Sequence, residues 1–258
     1  MDPITQAFIQ GAAGAAGGAT YVDDVFSAYL YNGNTTPKTI TNEIDNSKGG
    51  MVWLKSRSAS GNHMVFDTER GVTKYIRPNL DNAEDNDSNT LSSFNSNGFS
   101  IGNDTSINNN STTYSSLNFR KQEGFFDIVK FTQSGADSQS TPQVIPHNLG
   151  VAPGLIFLKR TSGSRDWFVY HRDLGKDWWI KLNEYGTPVN ENNSWGTTEP
   201  DANNFGYMSG YIGGGGNGAE YVAYLFGGGE STAANARSIN FDGSEGIDVA
   251  ASSALNLG

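Results

Sequence analysis

The chain has 258 residues, 17 Lys+Arg against 27 Asp+Glu for a formal net charge of -10, and no cysteine. Without thiols there are no disulfides, thiolate nucleophiles or zinc–thiolate sites, and the acidic balance opposes a phosphate backbone, so no nucleic-acid partner is expected. With 36% hydrophobic residues, 17% charged residues and 32 glycines, the composition favours short strands joined by many turns over long amphipathic helices.

In chain order, residues 1–20 place Ile4, Phe8 and Ile9 among small residues. No basic stretch precedes them, and Gly11, Gly14, Gly17 and Gly18 interrupt the apolar run, so neither a signal peptide nor a membrane span is expected. Each glycine weakens an isolated helix by about 1 kcal/mol, so one or two helical turns here would form only when docked on a partner. From residue 21 the pattern becomes that of strands. Met51 to Lys55, Met64 to Asp67, Lys74 to Arg77, Gly98 to Ile101, Tyr114 to Arg120 and Phe125 to Phe131 are β-branched or aromatic runs bounded by Gly, Asn, Ser or Pro. Between them, Asp81 to Asn89 is acidic and polar and reads as a loop. After about residue 229, SINFDGSEGIDVAASSALNLG resembles the opening of a further β domain.

The chain repeats itself, which decides the architecture. Residues 51–79 (MVWLKSRSASGNHMVFDTERGVTKYIRPN) align without a gap on residues 155–183 (LIFLKRTSGSRDWFVYHRDLGKDWWIKLN), at an offset of 104, Gly175 minus Gly71. Eight of the 29 positions are identical, among them Leu54/Leu158, Lys55/Lys159, Val65/Val169 and Ile76/Ile180. Others match in chemistry, as Trp53/Phe157, Phe66/Tyr170 and Tyr75/Trp179 do. Thr36-Pro37 answers Thr141-Pro142, and YSSLNF from Tyr114 answers YVAYLF from Tyr221. The expected fold is therefore all-β: two tandem antiparallel β-sandwich, jelly-roll-like domains over residues 21–121 and 122–229, with separate cores. A short N-terminal anchor over 1–20 precedes them, and 230–258 is a linker with an incomplete start of another domain.

No motif indicates catalysis. GGGGNG at Gly213 to Gly218 formally fits a dinucleotide loop, but it neither leaves a strand nor opens a helix, and Asn217-Gly218 reads as a hairpin turn. Asp81, Glu84, Asp85 and Asp87 lack the spacing of an EF-hand, so no metal site is expected. His63 and His171 fall at different places in the two copies, and His147 in PHNLG reads as a turn-fixing residue. No serine sits in a nucleophile elbow. No catalytic residues and no cofactor are expected. Among the clustered aromatics, Trp179 and Tyr170 align with apolar partners and are assigned to the core, which leaves Trp178 and Trp195 as surface candidates for ligand contact.

Several pieces carry a family resemblance: MDPITQAFIQGAAGA, YVDDVFSAYLYNG, GGMVWLKSRSASGNHMVFDTERGV with NSNGFSIG, and HNLGVAPGLIFLKR with DWFVYH. Up to about Gly229 the chain resembles virion structural proteins of marine tailed phages, and its C-terminal segment is similar to the first strand of laminin-G or concanavalin-A-like domains. The resemblance implies a tail fibre or tail appendage, attached by Ile4, Phe8 and Ile9 to other virion proteins such as a tail adaptor or nozzle. By analogy with fibres it implies a homotrimer, and it makes a host surface glycan or receptor the ligand of the outer modules. The protein would be assembled in the host cytoplasm and reside in the phage particle, without membrane insertion. The alternatives are a capsid decoration protein or head fibre, a carbohydrate-binding module, and a polysaccharide-degrading tail spike.

Overall fold

In a computed structural model of the protein, residues 20–228 are described; the anchor residues Ile4, Phe8 and Ile9 and the segment 230–258 lie outside them. After a one-turn helix at Val22–Val25, copy 1 builds a four-stranded sheet in the order β1 (Phe26–Asn32), β9 (Thr113–Arg120), β3 (Gly50–Ser56) and β4 (Met64–Asp67). A three-stranded sheet of β2 (Lys38–Thr41), β8 (Gly98–Ile101) and β7 (Leu91–Asn95) lies over it, and β5 (Lys74–Tyr75) pairs with β6 (Asp85–Asn86). Copy 2 repeats the plan. Its large sheet runs β10 (Phe126–Thr132), β17 (Glu220–Gly227), β12 (Pro153–Arg160), β13 (Phe168–His171), β14 (Trp178–Lys181), β15 (Val189–Asn190), and its small sheet pairs β11 (Gln143–Pro146) with β16 (Asn204–Tyr207).

The repeat extends to the register of individual residues. Met51 pairs with Asp67 and Leu54 with Met64, while Leu155 pairs with His171 and Leu158 with Phe168, each second pair shifted by the same 104 positions. The edge strands correspond too, with Phe26 opposite Phe119 in copy 1 and Phe126 opposite Phe226 in copy 2. Every named strand pair is antiparallel, as expected for sheets joined by short turns.

Side-chain alternation then distributes the core. In copy 1, Val52, Leu54, Met64 and Phe66 face the small sheet and pack with Ile40, Leu91, Phe99 and Ile101. In copy 2, Ile156, Leu158, Phe168 and Tyr170 pack with Ile145, Phe205 and Tyr207. The alternate residues are apolar as well. Met51, Val65 and Ile76 from copy 1 meet Phe126, Ile128, Trp167, Val222 and Tyr224 from copy 2, flanked by Trp53, Phe119, Phe157 and Phe226. The two large sheets therefore stand back to back, giving four layers of sheet and a third core shared by both copies. This corrects the expectation of two domains with separate cores: each has its own core, but neither large sheet has a solvent face over this central region.

Two local expectations also change. The acidic stretch 81–89 contains β6, and its carboxylates are engaged: Glu84 with Arg70 at 3.3 Å and Lys74 at 3.5 Å, Asp85 with Arg77 at 2.9 Å. The glycine-rich run is not a hairpin, because it links β16 in the small sheet to β17 in the large one. Gly215 and Gly216 donate their N–H groups to the Asp137 carboxylate at 3.1 and 3.2 Å. Burial opposes the charge of Asp137, but Gln133 and these two amides hold its carboxyl below the ordinary range. Gly98 shows a stricter requirement: at φ +147°, a Cβ there would lie 2.0 Å from the Ile40 carbonyl oxygen, so the β8 start tolerates no side chain.

Candidate functional site

Trp178 and Trp195 do not form one surface. Trp195 is fully buried and packs edge-on against Tyr170 at 5.7 Å, and its Nε1 donates to the Trp178 carbonyl at 3.0 Å. The expectation of a surface role for Trp195 is corrected: its polar neighbours Asn192, Asn193 and Ser194 suggest exposure, whereas Tyr170 from β13 covers the ring. Trp178 is 36% exposed. Trp179, one residue on, points to the opposite face of β14, where it meets Phe168 edge-on at 5.1 Å and flanks the copy 2 core as expected.

Beyond Trp179 the sheet edge opens into a cavity of about 300 Å³ lined by Trp179, Lys181, Glu184, Tyr185, Thr187 and Val189. Tyr185 is wholly exposed at 107%, and sequence reasoning did not single it out. Lys181 crosses to Asp166 at 2.8 Å and Glu184 at 2.7 Å, which raises its ammonium pKa above the ordinary lysine value. The Trp179 Nε1 is buried with no hydrogen-bond partner among the described residues. Copy 1 carries a second cavity of about 300 Å³, lined by Ser56, Gly61, Asn62, Arg77, Thr105 and Tyr114 among others. Its hydroxyls and amides suit a polar, uncharged or acidic occupant.

A cluster of buried ionisable groups lies elsewhere, at the contact between copies. Asp67 accepts from Arg70 Nε at 2.5 Å and from the Tyr224 hydroxyl at 2.6 Å, with Asp67 and Tyr224 fully buried and Arg70 5% exposed. Burial disfavours the Arg70 charge, but Asp67, Tyr224 and Glu84 outweigh it and raise its pKa, while burial pushes the Tyr224 hydroxyl far up. Lys159 is also fully buried, and its Nζ donates only to carbonyls: Arg160 at 2.8 Å, Arg165 at 2.8 Å and Asp81 of copy 1 at 3.2 Å. Burial lowers its pKa to about 8.

Because that value lies below the 10.5 of an ordinary lysine, protonated Lys159 weakens folding below pH 8, and the penalty fades as pH rises toward 10.5. The unfolding free energy of the chain is thus expected to rise relative to a Lys159→Met variant by about 3 kcal/mol between pH 7 and the top of that window. Paired urea titrations across the range check this; a difference that does not change with pH refutes it.

The histidines serve structure. His63 Nδ1 accepts from Trp53 Nε1 at 2.9 Å. In His147, Nδ1 accepts from the Leu149 N–H at 3.2 Å while Nε2 lies 3.1 Å from the Asp201 carbonyl, which fixes the turn as expected. Burial lowers the pKa of both rings. Among the described residues no group of three or more His, Asp or Glu is placed to hold a metal ion, and no helix is long and apolar enough to cross a membrane.

A family model described as "Domain of unknown function (DUF7483)" matches residues 22–234. It takes in both sandwiches, so the fused pair is its unit. No curated protein and no solved structure matches the chain.

Proposed function

The chain belongs to the DUF7483 family, and we propose, on its resemblance to virion structural proteins of marine tailed phages, that it is a non-catalytic structural protein of a bacteriophage virion, a tail fibre or tail appendage joined to the particle through its N-terminal segment. The single observation that carries the reading is the fusion of two copies of one sandwich through a shared apolar layer. Arg70, Tyr224 and Lys159 are sealed in the seam between two copies of one sandwich, where no substrate reaches them and where they join the copies into one stiff body. A stiff body with polar, turn-rich ends suits a spacer or host-contacting module, and fibres of this kind assemble as trimers.

In this reading the host-facing contact is a surface glycan, met by the exposed ring of Trp178, since aromatic faces stack on sugars and supply contact area at little entropic cost. Deleting residues 2–18 is expected to leave soluble, folded sandwiches that no longer incorporate into particles, as followed by immunoblotting of purified virions. Trp178→Ala is expected to lower glycan-array signal at least tenfold while leaving incorporation unchanged. Normal incorporation of the deletion variant overturns the virion anchor, and release of reducing sugar from host polysaccharide overturns the non-catalytic reading.

A further inference from the structure

The two copies differ in chemistry where the turn after β3 or β12 faces the segment after β8 or β16. In copy 2 this turn carries Arg160 and Arg165, and both side chains cross the gap: Arg160 Nη1 donates to the Gly214 carbonyl at 2.8 Å and Arg165 Nη2 to the Tyr211 carbonyl at 2.9 Å. The Arg165 guanidinium also lies over the Phe168 ring at 5.3 Å. At the offset of 104, copy 1 has Ser56 and Gly61 in place of these arginines and Met64 in place of Phe168. Between its turn and the segment 105–112 lies the copy 1 cavity of about 300 Å³. Two short residues thus leave open in copy 1 what two long ones fill in copy 2, and the volume matches the lower end of small-ligand sites, roughly 300–1,000 Å³.

Both walls of this cavity are held in place. The Tyr114 hydroxyl accepts from the Asn109 N–H at 2.9 Å and donates to the Thr105 carbonyl at 3.2 Å, which fixes one wall. Ser56 Oγ donates to the Ala59 carbonyl at 3.0 Å and accepts from the Ala59 N–H at 3.2 Å, which fixes the turn opposite. A site ordered in advance loses less on binding. Met64 and Tyr114, both buried, contribute apolar lining. The hydroxyls of Ser60, Thr105 and Ser106 and the Asn109 amide are exposed at the cavity and have no hydrogen-bond partner among the described residues.

Charge narrows the ligand. Arg77 is the charged residue of the lining, and it is already answered: its Nη1 reaches Asp85 at 2.9 Å and its Nη2 donates to the Tyr75 hydroxyl at 3.0 Å. Where copy 2 places Asp166, copy 1 has the neutral amide of Asn62. Hydroxyls and amides both donate and accept, so together they select a ligand with many hydroxyls and no net charge.

We propose that the copy 1 cavity binds an uncharged sugar unit, its C–H face toward Met64 and Tyr114 and its hydroxyls toward Ser60, Thr105, Ser106 and Asn109. The site lies in the other copy from Trp178, and the inference stands independently of the virion reading.

Saturation-transfer NMR of the full chain tests it, with the methyl glycosides of glucose, galactose, mannose and N-acetylglucosamine and of the corresponding uronic acids as probes. At least one neutral glycoside is expected to bind with a millimolar dissociation constant and more tightly than any uronic acid. Gly61→Arg restores the copy 2 filling at a position where a Cβ meets nothing nearer than Ser56 Cβ at 4.0 Å; it is expected to weaken binding at least tenfold with the melting temperature kept. The double variant Ser106→Ala/Asn109→Ala removes free polar groups without filling the cavity and is expected to weaken binding at least threefold, so it decides the matter if the arginine variant does not fold. Trp178→Ala is expected to bind like the parent, which separates this site from the glycan contact assigned to that ring. Absence of binding by every neutral glycoside, tighter binding of a uronic acid, parent-like binding by the cavity variants, or loss of binding in Trp178→Ala each overturns the proposal.

Discussion

Asp67→Ala is expected to destabilise the protein by about 3–5 kcal/mol, the usual cost of leaving one member of a buried ion pair without its partner. The carboxylate has two close donors, Arg70 and Tyr224, and all three groups are shut from water. Once it is gone, the guanidinium retains Glu84 at 3.3 Å, the Val65 carbonyl at 2.9 Å and the neutral Tyr224 hydroxyl at 3.3 Å. The charge, not the lost hydrogen bonds, dominates the loss. The double variant Asp67→Ala/Arg70→Met should therefore recover part of the stability by removing the stranded cation, a coupling that a double-mutant cycle in urea measures. A single-variant loss under about 1 kcal/mol would mean that the seam admits water and screens the pair.

Trp167→Ala carries the second large effect. The ring is 1% exposed, lies nearly parallel to Tyr224 at 6.2 Å, and donates from Nε1 to the Arg77 carbonyl at 3.0 Å. Truncating a buried tryptophan costs about 3–5 kcal/mol, and this one bridges the copies. Calorimetry should show one cooperative transition for the parent chain and two for the variant, because the inner cores of the copies share no residue with the layer between them. Two transitions in the parent itself would mean that the shared layer does not couple them.

Much of this architecture was legible from residues alone. Local strand runs located β3, β4, β8, β9 and β10 to within a residue or two, and the gapless repeat carried the register of β12 and β13. The back-to-back fusion was missed although its signal was present. Met51-Val52-Trp53-Leu54 and Met64-Val65-Phe66 are continuous apolar runs without the alternation of a half-exposed strand, the pattern of strands covered on both faces. Strands β1, β2 and β7 escaped because FSAYLYN, KTIT and LSSFN mix polar residues into short edges whose pairing is set by distant partners. Trp195 was misplaced for a related reason: its cover, Tyr170, is distant in sequence.

The shared layer has a consequence for synthesis. Ribosomes build the first sandwich while the strands that will cover Met51, Val65 and Ile76 do not yet exist, and at about 5–20 residues per second the wait for β17 lasts roughly 5–20 s. Throughout that interval the nascent chain displays a greasy sheet near the exit tunnel, a natural target for chaperone capture or premature clumping between neighbouring polysomes. The yield of soluble protein thus depends on how quickly the second half emerges, and slow codons between Phe126 and Gly227 would be felt as lost product.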